Sequence, residues 1–164
     1  MANEGFQIAR YAGAPVRVTP GFLVLLGALY LATGAAPAGL LGLLLWPVMI
    51  AGSVLAHELG HATVAHANHR RVREIALTWH GGRVTHEGLA LPPVLLRVAL
   101  AGPAASLGLA AACFALSWLP LGVFSAALWT MFWLNLGWGL FNLLPIQPLD
   151  GGHALAALRG KVPR

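Results

Sequence analysis

Long apolar runs separated by short polar clusters dominate this chain, and their lengths decide which elements they can form. Four runs stand out, at Pro20–Ala36, Leu40–Ala67, Val94–Leu119 and Leu121–Leu144. Each approaches or exceeds the ~17–25 residues that a helix needs to cross a bilayer. The first ends in Thr33-Gly34-Ala35-Ala36-Pro37, which imitates a signal-peptide cleavage site. The polar stretch preceding it is too long for a signal-peptide n-region, so a spanning helix is expected instead.

Between the second and third runs the period changes. Ile75, Leu77 and Trp79 alternate with Glu74, Ala76 and Thr78, the two-residue period of a strand. Gly81-Gly82 supplies a favoured two-residue turn, so a β-hairpin is predicted over 72–91, on or dipping into the membrane interface. Pro145 and Pro148 prevent a regular helix beyond the fourth run. The predicted fold is an all-α membrane protein, a single polytopic domain over 1–164. It has about four transmembrane helices, a short hairpin between the second and third, and a broken fourth helix.

Composition agrees with the membrane reading. Hydrophobic residues make up 58% of the chain and charged residues only 9%, where a soluble domain carries about a quarter. The net charge of +5 raises nucleic-acid binding as an option. The basic residues flank apolar spans rather than forming a patch interleaved with aromatics, which argues against it. Arg10 and Arg17 precede the first run, while Arg70, Arg71, Arg73, Arg83 and Arg97 lie around the hairpin. Arg159, Lys161 and Arg164 follow the fourth run. All fall on one side if the chain crosses four times, and the positive-inside rule makes that side cytoplasmic. A multi-pass protein of the cell membrane with cytoplasmic termini is expected. The lone Cys113 reads as a small packing residue.

One cluster inside the second run carries chemistry. His57-Glu58-Leu59-Gly60-His61 puts two imidazoles one turn apart on a helix face, with a carboxylate beside them. That pattern suits a shared Zn²⁺ and a general base. Ionisable residues at membrane depth are costly and are read as functional. A catalytic zinc takes three protein ligands and a water, so a third must come from elsewhere. Asp150 is the candidate, because it is the one carboxylate in the last third of the chain and follows the broken end of the fourth run. Runs two and four cross in the same direction, so their cytoplasmic ends can meet and His57, His61 and Asp150 can form one shell.

The pair His57-Glu58-x-x-His61 and Asn142-x-x-Pro145-x-x-Pro148-Leu149-Asp150-Gly151 resembles the site-2 protease family of intramembrane zinc metalloproteases. Gly102-Pro103-Ala104-Ala105-Ser106 extends the resemblance, with Ser106 where the family often has Asn. The resemblance implies one Zn²⁺ held by His57, His61 and Asp150, with Glu58 as catalytic base. It also implies a membrane-anchored protein substrate, such as a tethered transcription factor or an anti-sigma factor. The length leaves no room for the PDZ or CBS domain that members often carry, which implies a minimal core member or a truncated chain.

Other residues have plainer readings beside functional ones. Asn142 either hydrogen-bonds substrate or oxyanion, or caps helix backbone near Pro145. His153 is a helix-start residue or a neighbour of the metal ligands. His66, His69, His80 and His86 read as solvated or interfacial, and the Gly102–Ser106 run reads as a small-residue packing face. A non-catalytic zinc-binding module would have no use for Glu58. A metal or solute transporter would more often show inverted repeats, and none is apparent. The expected function is therefore intramembrane zinc endopeptidase.

Overall fold

The computed structural model describes residues 5–33, 39–88 and 91–160. In chain order the elements are β1 (Phe6–Tyr11), β2 (Ala14–Val18), α1 (Pro20–Thr33), α2 (Gly39–Ala67), β3 (Arg71–Thr78) and β4 (Gly81–Glu87). There follow α3 (Pro92–Ser117), α4 (Val123–Asn142) and α5 (Asp150–Leu158). The long apolar runs became helices where the pattern placed them, and the fourth is broken as the prolines require.

Among the described residues, two helices have the length and apolarity to cross a bilayer, Leu45–Ala67 within α2 and the whole of α3. Of the four crossings expected, length and composition support these two. The 14 residues of α1 reach only about 21 Å, short of the ~30 Å hydrocarbon core. The Gly34–Pro37 end of the first expected span lies outside the described residues. Helix α4 has 20 residues, about 30 Å at 1.5 Å per residue. The helices still turn large apolar side chains outward: Leu23, Val24, Val48, Phe114, Trp129 and Trp133 are all exposed. Such surfaces suit lipid rather than water as solvent.

The fold is not all-α. Strands β3 and β4 form the expected hairpin but belong to a mixed four-stranded sheet of order β1-β2-β3-β4, with β2 parallel to β3. The N-terminal β1–β2 hairpin turns at Ala12-Gly13, where both residues have positive φ. It falls in the stretch read as merely polar. The turn of the second hairpin also differs from expectation. Thr78 pairs with Gly81, so Trp79-His80 make the turn and the two glycines open β4.

Two apolar clusters fix the sheet on the helices. Ala14, Val16, Val72 and Ile75 pack on Ala62 and Ala65 of α2 and Val98 of α3. Leu77 joins Phe22 of α1 with Ile50 and Val54 of α2. Helices α2 and α3 meet closely at Gly60, where a Cβ would run into the Ala101 carbonyl and the Ala105 methyl. The small-residue face expected on α3 is thus the seam that brings α3 against the second half of α2.

Candidate metal centre

The second half of α2 delivers His57 and His61 one turn apart, 3% and 8% exposed. Each ring is fixed through Nδ1. His57 Nδ1 lies 3.0 Å from Ser106 Oγ, and His61 Nδ1 lies 2.7 Å from the Val98 carbonyl oxygen, both on α3. The carbonyl can only accept, so His61 carries its proton on Nδ1 and leaves the Nε2 lone pair free. Gly102, on α3 between those partners, is the reason the rings can sit there: a Cβ at this position would collide with both imidazoles.

Asp150 reaches the same point from the other end of the chain. After α4 ends at Asn142 the backbone leaves the helix, and α5 restarts at Asp150, whose carboxylate suits the positive end of a helix. The restart is tight. A Cβ on Gly151 would strike the Leu143 and Leu144 carbonyls, and one on Gly152 the Ile146 carbonyl. The two glycines therefore let α5 tuck beneath the Leu143–Leu149 turn and aim Asp150 at α2.

The three donor atoms converge. His57 Nε2 is 2.9 Å and His61 Nε2 3.3 Å from Asp150 Oδ2, and the two Nε2 atoms are 3.2 Å apart. Ligands at the usual zinc distances of ~2.0–2.1 Å in a tetrahedron are separated by about 3.3 Å. The observed edges fit that figure. The three residues are thus grouped as the ligands of a divalent metal would be.

Glu58, 5% exposed, follows His57 on α2 and lines the same cleft as the three donors. Gly82 of β4 covers it so closely that a Cβ there would overlap the Glu58 carboxylate. Gly81 lies similarly against the Trp138 ring. The Gly-Gly pair that resembled a turn therefore lets the hairpin lie over the carboxylate and the indole. The cleft holds about 1040 Å³, walled by β4 on one side and by Trp138, Asn142 and Asp150 on another.

Of the remaining expected residues, Asn142 lines this cleft and its Nδ2 donates to the Trp138 carbonyl at 2.9 Å, as a helix-end cap would. His153 is exposed at the start of α5 and borders the cleft. Ser106, whose role the residues alone left open, is a hydrogen-bond partner of a metal-site imidazole. Gly82 was not recognised as a site residue, and Gly102 was noted only as part of the small-residue run that extends the resemblance. Their only signal was position, since a glycine shows its purpose only when the opposing side chain is seen.

With this geometry in hand, similarity to known proteins is informative. The family model described as Peptidase family M50 matches residues 119–164. Two curated relatives carry the description "putative zinc metalloprotease". Rip3 of Mycobacterium tuberculosis is 43% identical over 116 residues, which are 67% of this chain and 30% of Rip3. The Synechocystis protein sll0528 is 34% identical over 169 residues, 95% of this chain and 44% of that protein. Among solved structures, the site-2 protease from Methanocaldococcus jannaschii superposes with a TM-score of 0.75 at 27% identity. The match covers 96% of this chain and 72% of that one. The chain spans less than half the length of either curated relative. These similarities support the site-2 protease family, whose members are membrane proteins and whose metal is zinc.

Proposed function

We propose that this chain is an intramembrane zinc endopeptidase in which His57, His61 and Asp150 hold one Zn²⁺ and Glu58 is the general base. The supporting observation is the convergence of His57 Nε2, His61 Nε2 and Asp150 Oδ2 within 2.9–3.3 Å of one another, beside a buried carboxylate. When bound, the metal would acidify a water and polarise a scissile carbonyl. Ser106 and the Val98 carbonyl hold the imidazoles so that both Nε2 lone pairs face inward. Glu58 takes the proton of the attacking water and returns it to the leaving amine. Asn142 anchors one amide N–H on the Trp138 carbonyl and offers its second to the substrate or the developing oxyanion.

The proposed substrate is a membrane-anchored protein, for instance a tethered transcription factor or an anti-sigma factor. A transmembrane helix hides its carbonyls in internal hydrogen bonds, so it must unwind before it can be cut. Strand β4 ends the sheet and borders the cleft, and its free edge suits strand addition by an extended substrate segment. Both termini and the metal site are proposed to lie towards the cytoplasm. The test is Glu58→Gln in purified protein. Zinc content should be unchanged and cleavage of a single-span reporter should fall roughly 10²–10⁴-fold. Unchanged cleavage would remove Glu58 from the role.

A further inference from the structure

A second cavity, of about 670 Å³, shares no lining residue with the cleft that holds His57, His61 and Asp150. It lies between the β1–β2 turn at Gly13, the end of α2 and the start of β3. Its wall carries His66, His69, Arg70, Arg71 and Arg73, and no carboxylate is found among the described residues that line it. Arg73 is already neutralised, since its Nε and Nη2 both contact Glu87 Oε2, at 2.7 and 2.6 Å. Neither Arg70 nor Arg71 forms an ion pair among the described residues.

Arg70 is the telling member. It is 8% exposed, and its Nε and Nη1 are buried with no hydrogen-bond partner among the described residues. A buried guanidinium without an anion is expensive, and its fork of donors matches a phosphate or carboxylate. The end of α2 does not meet that need. Its last carbonyls are taken by backbone and amide donors: Val64 by Asn68, Ala65 by the Arg70 N–H, His66 by the His69 N–H. Nor does His86, whose own Nδ1 is buried and unpartnered. Burial first, and then the neighbouring Arg70 charge, push its imidazole below the ordinary pKa and keep it neutral.

We infer that this pocket is an anion site in which Arg70 and Arg71 bind a phosphate group, either of a lipid headgroup or of a soluble phosphate. The site is independent of the metal chemistry. The cluster at the end of a spanning helix favours the headgroup, because basic residues next to a span attract anionic lipid.

The test uses the full chain, purified in detergent and carrying its zinc, with two probes, inorganic phosphate and a short-chain phosphatidylglycerol, titrated by calorimetry. Arg70→Met should weaken the bound probe at least about tenfold, and Arg71→Gln several-fold, with zinc content unchanged. Arg159→Gln removes the same charge outside the pocket and should leave affinity alone. Binding of the lipid probe alone identifies the bilayer as the source, and binding of phosphate alone a soluble ligand; either supports the site. If Arg70→Met does not fold, exposed Arg71 decides. Absence of binding by both probes overturns the inference, as does affinity unchanged in Arg71→Gln and Arg70→Met, or an equal loss in Arg159→Gln.

Discussion

At the scale of single residues, the metal centre depends as much on what holds the imidazoles as on the donors themselves. Ser106→Ala removes the Nδ1 partner of His57. Loss of such a partner typically costs 10–100-fold in metal affinity. The expected outcome, read by chelator competition, is a drop in that range with helix content unchanged; equal affinity would make Ser106 a packing residue only. Gly102→Ala should be more severe, because the added methyl enters the space of both imidazoles. Zinc should be lost outright, and retention of full occupancy would show that α3 can retreat. That His57, His61 and Asp150 come together was legible in the sequence because each side chain has its own chemistry: paired His one turn apart, and a solitary Asp after a proline-broken helix. Ser106, Gly82 and Gly102 were not, because a hydroxyl or a missing Cβ acquires meaning only from its partner across an interface.

At the scale of elements, helix boundaries were largely readable, since apolar length and proline position act locally. Helix α3 begins two residues before the expected Val94 and α4 ends two before the expected Leu144. The sheet was half readable. Strand β3 announces itself by alternation, but β1 and β2 are short, β1 is largely exposed, β2 opens Ala14-Pro15, and the burial of β2 comes from α2 and α3 rather than from its own pattern. The Gly-Gly turn failed for a similar reason: two glycines fit a tight turn and a close approach equally well, and only the facing Glu58 and Trp138 distinguish them. Gly82→Ala should therefore displace β4 from Glu58 and reduce cleavage while leaving zinc bound; full activity would mean that the hairpin shifts freely. If β4 receives the substrate, Pro at Thr85 should abolish cleavage of a membrane reporter without releasing zinc, and undiminished cleavage would end the strand-addition proposal. Between α2 and α4 the fully buried Asn135 donates to Ser53 Oγ at 2.9 Å. Interhelical hydrogen bonds of this kind contribute about 0.6 kcal/mol and at most about 1.7, so Asn135→Leu should lower thermal stability only slightly.

At the scale of the whole molecule, helices α2 and α3 with the start of α5 bring residues from opposite ends of the chain to one point, and the sheet roofs it. The crossing number is less legible than the grouping of the site residues, because it depends on helix length within the bilayer and not on apolarity alone. A metal that binds the folded chain and not the unfolded one stabilises it by mass action, about 2.7 kcal/mol at a hundredfold excess over the dissociation constant. Chelation should therefore lower the melting temperature, and restored zinc should return it. The most direct test of the central claim is zinc per chain in wild type, Glu58→Gln and Asp150→Ala, measured on protein purified in parallel. One equivalent in the first two and a marked loss in the third is the predicted result. Full occupancy in Asp150→Ala would contradict the assignment of α5 to the metal centre and, with it, the account of how this fold builds its site.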